Sequence, residues 1–230
     1  MINPIEILTP DLLLNGILYD LQGNALTLQQ GSKNILSGGF EAVFPSSVQA
    51  DKVLIKNTSL ESVNIYYKVQ SEAEYILMEN ASVFLSGKDM LITFPQVVQA
   101  VAFKFVFASE SEEYFYSFIL LKSLLVLDTV LSSLRPSVFC RGGHHYTAGG
   151  NLILWREFCK HGGTLTLENV SSSVKNALAE ICAGNLLLTF IFYGGFDLSQ
   201  SGEYGLAAPL KTELDRSLSL WRAEMELAEK

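Results

Sequence analysis

Five of the six Cys and His residues in this chain fall within 22 positions: Cys140, His144, His145, Cys159 and His161. Such donors hold zinc when four of them converge at about 2.0–2.3 Å, and the ends of adjacent strands can supply that convergence. Cys140, His144, Cys159 and His161 are therefore the candidate metal ligands. Their spacing contains neither a CxxC nor an HxxxH step, so packing without metal is the expected state. A thiolate–imidazole pair on Cys140 or Cys159 is the other available chemistry, yet no oxyanion-hole motif or orienting carboxylate is placed beside it. Cys182, within a helical segment, reads as a small buried hydrophobe. Glu110-Ser111-Glu112-Glu113 lacks the Asp/Asn/Gly alternation of a calcium loop and reads as a solvated turn. Glycine pairs at 38–39, 142–143, 149–150, 162–163 and 194–195 lack a following Lys-Ser/Thr and read as β-turns. The expectation is no catalytic residue, no cofactor and no metal: a protein that is not an enzyme.

The elements that must position these residues divide unevenly along the chain. Residues 1–134 contain no Arg, Cys, His or Trp, and every such residue lies in 135–230. The formal net charge of -8 is also uneven: 14 acidic against 7 basic residues in 1–134, and 10 against 9 afterwards. Two domains are expected, 1–134 (with 1–34 as an extension or opening strands) and 135–230. The acidic first half disfavours a nucleic-acid partner, because a phosphate backbone is repelled. The longest apolar stretch, Phe115–Leu131, is interrupted by Lys122 and Asp128 and is too broken to cross a membrane as a helix. The N-terminus carries no basic n-region and no small-residue cleavage site. With an odd count of three Cys, reduced thiols in a cytoplasm are expected.

The first domain reads as β throughout. Val53–Asn57, Val63–Val69, Met90–Phe94 and Ala102–Phe107 are short, β-branched and aromatic, with turn residues at Asn57-Thr58-Ser59 and Ser86-Gly87-Lys88-Asp89. Phe115–Leu127 supplies closing strands. In the second domain Leu152–Phe158 and Gly163–Glu168 read as strands around a His161-Gly162-Gly163 turn. Ser171-Ser172-Ser173 caps a helix at about 172–183, which buries Val174, Leu178 and Ile181 before Gly184-Asn185 stops it. Leu186–Tyr193 is a near-continuous apolar run, expected as a central strand. From Thr212 to Lys230 the pattern is double. Leu214, Leu218, Trp221 and Met225 fit a helical stripe, whereas the alternation Trp221, Ala223, Met225, Leu227 fits a strand, the preferred reading.

Two resemblances follow from these segments. Val53-Leu-Ile-Lys-Asn-Thr, Ile65-Tyr-Tyr-Lys-Val, Ala102-Phe-Lys-Phe-Val-Phe and Phe118–Leu127 make residues 35–128 resemble a discoidin-type (galactose-binding-like) jelly roll. Residues 135–230 are similar to small β-domains of bacteriophage tail and baseplate proteins, through the strand pair, Val170-Ser171-Ser172, the short helix, the buried strand and Leu220–Leu227. The fold class implied is mainly β: an N-terminal antiparallel jelly-roll sandwich and a smaller C-terminal β-domain carrying one short helix. The function implied is that of a structural virion component of a phage tail, baseplate or neck, or a related tail-like particle, made in the host bacterial cytoplasm. Its partners would be other copies of itself and other tail proteins, without nucleic acid or membrane. The alternative is a carbohydrate-binding or receptor-binding β-sandwich module. Against a glycan partner, the loops at Asn57–Glu61 and Ser86–Asp89 carry Ser, Asn, Glu and Lys rather than stacking aromatics. Tyr66, Tyr67 and Tyr75 are expected half-buried in framework roles.

Overall fold

Two Phe-Pro steps, Phe44-Pro45 and Phe94-Pro95, sit where a continuous ladder cannot be kept, because proline has no N–H to donate. In the computed structural model they mark the corners of a folded sheet. The structure describes residues 5–108, 112–127, 131–146, 152–185, 187–193, 198–215 and 218–229; at 131, 136, 138–146, 152–161, 199 and 229 it describes the backbone only.

The strands, in chain order, are β1 (Ile5–Leu8), β2 (Ile17–Asp20), β3 (Ala25–Leu26), β4 (Asn34–Ser37), β5 (Gly39–Lys56), β6 (Val63–Lys68), β7 (Ile76–Leu77), β8 (Ser82–Ser86) and β9 (Asp89–Phe107). There follow β10 (Glu112–Phe115), β11 (Ser117–Leu121), β12 (Ser123–Leu127), β13 (Leu131–Tyr146) and β14 (Leu152–Val170). The helix α1 (Ser172–Gly184) precedes β15 (Leu187–Phe192), β16 (Gly202–Leu206), β17 (Lys211–Asp215) and β18 (Leu220–Glu229). The protein is thus mainly β, and every pairing whose register is described is antiparallel. Among the described residues no helix is long and apolar enough to cross a membrane.

Contacts divide the chain into an inserted unit, residues 8–124 with 197–201, and a host unit, residues 1–7, 125–196 and 202–230. The expected boundaries, 1–134 and 135–230, therefore shift. Ile5 and Ile7 at one end and Leu127 at the other are fully buried in the host core, so β1 and β12 belong to the host sheet. Composition marked the change of residue types, whereas burial marks the change of core.

In the inserted unit β5 and β9 pair almost end to end, from Gly39↔Val106 to Ile55↔Met90. Register breaks at Val43/Val48 and Ala50/Lys52 leave Phe44-Pro45 and Phe94-Pro95 as extra residues, which bend the pair. One half carries β2–β3 and β6–β7 on its flanks, and the other carries β11 and β8. The sheet folds back so that rings from its two halves meet. Phe118 lies 4.9 Å from Phe40 and 4.8 Å from Phe105, both edge-on. Phe103 lies between the two corner rings, 6.3 Å from Phe44 and 6.2 Å from Phe94. Edge-to-face and offset rings at these separations add about 0.5–1.5 kcal/mol per pair beyond burial. Gly39 is obligatory at the entry to β5: its φ is +130°, and a Cβ would stand 1.9 Å from the Phe105 carbonyl oxygen. The buried Asp11 ties the opening 3-10 turn (Leu12–Asn15) to β11, accepting from the Leu13 and Leu120 amides at 3.0 and 3.1 Å.

The host sheet runs β12-β1-β15-β16-β18-β14-β13, with β17 paired to β18. Ser171 caps α1, its Oγ accepting from the Val174 amide. Val174, Leu178 and Ile181 pack with Leu165, Phe190 and Met225, as the helical stripe predicts. Asn185 ends the helix in extended backbone and returns its side-chain amide to the Ile181 carbonyl, 2.9 Å away. β15 is buried between β1 and β16, the expected central strand. The C-terminal segment is the preferred strand, paired back on β17, with Ala223, Met225 and Leu227 buried.

Other expectations are corrected. Met90–Phe94 and Ala102–Phe107 are two halves of β9, and Val53–Lys56 is the end of β5. Of the expected closing strands, β11 closes the inserted sheet but β12 joins the host sheet. The His161-Gly162-Gly163 turn does not exist, because β14 runs through it. Gly163 is in the strand because the Arg135 carbonyl oxygen comes within 2.6 Å of where a Cβ would be. Gly142-Gly143 is likewise no turn: Gly142 follows a bulge in β13–β14 that admits an extra residue, Glu157. Gly38-Gly39 forms the link between β4 and β5. The pairs at 149–150 and 194–195 lie outside the described residues.

Candidate functional site

The candidate metal ligands all fall on β13 and β14, where the structure describes the backbone. Register places Cys140 directly across from Cys159. His161 lies two positions along from Cys159, opposite Val138, while His144 lies beyond the bulge opposite Leu154 and His145 opposite Ile153. The ladder thus gathers Cys140, Cys159 and His161 at neighbouring positions and leaves His144 apart. Cys182 is in α1, its thiol 4.0 Å from the Met225 sulfur, and burial pushes its pKa up. A thiol held protonated in an apolar contact is a poor nucleophile, in keeping with the packing role expected of it.

These positions stand on a ladder of unequal support. β14 pairs with β18 only from Gly162 to Val170. From Val138 to Tyr146, the β13–β14 pair has no third strand among the described residues. Among the described residues β13, 16 residues long, is also the outermost strand of the host sheet. Pro136 fits such an edge, because its missing N–H is needed only by a second neighbour.

A second edge strand, among the described residues, lies in the inserted unit. β8 pairs with β9 on one side, through Ser82↔Thr93 to Ser86↔Asp89. Its Val83, Phe84 and Leu85 are 53%, 51% and 60% exposed, so neither face of the strand is covered. Gly87 (φ 61°) turns the chain from β8 into β9. Sequence reading found this turn and missed the strand before it. The available signal was three consecutive apolar residues leading into Gly87-Lys88-Asp89.

The polar loops beside that edge are held internally. Thr58 donates to the Tyr114 carbonyl at 2.9 Å, and Ser59 donates to the Glu113 carboxylate at 2.5 Å. Glu112 and Glu113 are thereby part of β10, and Glu113 is engaged by a hydroxyl; Glu110 and Ser111 lie outside the described residues. Lys56 reaches the Leu198 and Ser201 carbonyls at 2.8 and 3.1 Å and the Asp89 carboxylate at 2.9 Å, fixing residues 198–201 to the inserted unit. Tyr66, Tyr67 and Tyr75 are half-buried, as expected. The Tyr75 phenol donates to Glu41, and burial, then that carboxylate, raises its pKa.

In the host unit, an open groove of about 580 Å³ lies against β17–β18, lined in part by Glu168, Glu213, Asp215, Trp221 and Arg222. Three carboxylates against one guanidinium make it unreceptive to anions. The Lys175 ammonium sits 4.5 Å from the centre of the Trp221 ring. Among the described residues no group of three or more His, Cys, Asp or Glu is placed to hold a metal ion. No family model, curated protein or solved structure matches this chain.

Proposed function

We propose that this protein is a structural subunit of a phage tail, baseplate or neck, or of a related tail-like particle, and that it works by assembly with neighbouring subunits. The observation that carries this reading is the length of sheet edge among the described residues. Among the described residues β13, 16 residues long, is the outermost strand of its sheet, and its outer part lies on a ribbon with no third strand. A long edge left unprotected is a template for another chain, and isolated soluble proteins ordinarily shield such edges. The exposed apolar residues of β8 add to it. In this reading the inserted unit is a jelly roll of discoidin, galactose-binding-like type that serves as scaffold, and the partners are further copies of the chain and other tail proteins in the virion. The internal ties of Thr58 and Ser59 argue against the carbohydrate-binding alternative, since the groups of that loop are committed to β10. Mass spectrometry with electron microscopy of particles purified from the source tests the assignment. The chain is expected at fixed stoichiometry in them. Its absence, or a monomer with measurable turnover, would overturn the reading.

A further inference from the structure

We infer that β8 is a two-fold self-association edge, on which a second copy of this chain adds its own β8 in antiparallel register. The inference rests on the assembly reading only in taking the partner to be the same chain. Three observations carry it. The strand reads Ser82-Val83-Phe84-Leu85-Ser86, which has nearly the same chemical pattern in both directions. A two-fold axis at Phe84 pairs Ser82 with Ser86, Val83 with Leu85 and Phe84 with itself, which is the requirement for an isologous contact. Side chains alternate across a strand, so Phe84 would meet Phe84 on one face while the Val83–Leu85 pairs form on the other. All three apolar residues are at least half exposed in the single chain, and this pairing would cover both faces at once.

Charge is the second observation. The chain carries -8, so two copies repel, yet β8 holds no charged residue.

The third is the lack of protection. Edge strands are normally blunted by charge, proline or a bulge, and β8 has none of these. A strand-on-strand contact of five residues is small, so the association it supports is reversible and concentration-dependent.

The test uses the full chain in sedimentation equilibrium over roughly 1–100 µM, where contacts of this size populate dimers. Wild type is expected to move from monomer to dimer, and Phe84→Lys and Leu85→Lys to weaken the association at least tenfold. Because both side chains are exposed, circular dichroism and melting should stay unchanged in the variants. Cysteine scanning with glutathione disulfide as oxidant fixes the register. Phe84→Cys should link to itself, and Ser82→Cys should link to Ser86→Cys when mixed but not to itself. Wild type that stays monomeric throughout, or Ser82→Cys that links to itself, would overturn the inference. Either result concerns only self-association of the isolated chain, so it leaves the presence of the protein in particles as a separate question with its own test.

Discussion

β5 and β9, at 18 and 19 residues, form a ladder nearly the same length as that of β13 and β14, at 16 and 19 residues, yet the two ladders end differently. The first carries two multi-residue register breaks, each containing a Phe-Pro step, and folds back on its own aromatic rings. The second carries a bulge at Arg141/Gly142 and passes Pro136 without a break, Pro136 staying opposite Gly163. Its third strand stops at Gly162, and the rest continues as a two-stranded ribbon. Strand length does not decide between a closed sandwich and an open arm. The number of residues extruded at the corner does, together with whether a bulky apolar side chain is placed there to be buried. Phe44 and Phe94 are buried corner residues; at Arg141-Gly142 the bulge brings an arginine, a glycine and Glu157.

The most direct way to break the closed ladder is to remove a ring that joins its halves. Phe105 is fully buried and touches Phe40, Phe103 and Phe118. Phe105→Ala should cost about 3–5 kcal/mol, from lost transfer and an unfilled cavity. Urea denaturation should show it as a lower midpoint. A loss under about 1 kcal/mol would mean that the corners, not the rings, hold the fold-back.

The open ladder is most vulnerable at its root. Gly163 pairs with Pro136 on one side and Leu227 on the other, with no room for a Cβ beside the Arg135 carbonyl. Gly163→Val should cost about 1–3 kcal/mol through overpacking. Hydrogen exchange should report it as faster opening of β13 and β14, with the inserted unit unchanged.

Both outcomes bear on what could be read in the residues alone. Alternation and β-branched content made the mainly β class and the strand at Leu220–Glu229 legible, and a near-continuous apolar run did so for the central strand β15, because each is a local signal. The Ser171 cap and the Val174, Leu178, Ile181 stripe located α1 for the same reason. Gly142-Gly143 and Gly162-Gly163 misled, because a glycine pair in a bulge or at a close strand approach looks like a pair in a turn. The Phe-Pro corners were present in the chain, but their effect depends on pairing between residues 50 positions apart. The insertion of residues 8–124 was hidden for a related reason: Ile5, Ile7 and Leu127 carry no local mark of which core they enter. For the Cys and His cluster, the chain order suggested proximity across a hairpin. The register makes Cys140 and Cys159 opposite neighbours and separates His144.

That separation sharpens the metal question. Three donors at neighbouring ladder positions, on a ribbon with no third strand among the described residues, leave a fourth to be found, so purified protein should hold well under one equivalent of zinc. Cys159→Ala should then lack the large stability loss that removal of a bound structural metal brings. Elemental analysis and thermal melting check this. Stoichiometric zinc lost together with stability in that variant would reverse it and make the ribbon a metal-fastened arm.

An effect of the opposite sign is expected in the best-supported strand of the sheet that the ribbon leaves. Thr189, in β15, is fully buried, and its Oγ1 has no hydrogen-bond partner among the described residues. A buried hydroxyl without a partner has lost its water and gained nothing in return. Valine keeps the branched shape and the β preference and removes the oxygen. Thr189→Val should therefore stabilise by about 0.5–1 kcal/mol, seen as a slightly higher melting temperature. A decrease instead would show that this hydroxyl is satisfied in solution. The sheet interior would then be wetter than its close packing implies, and the contrast with the dry aromatic core of the closed ladder would be greater.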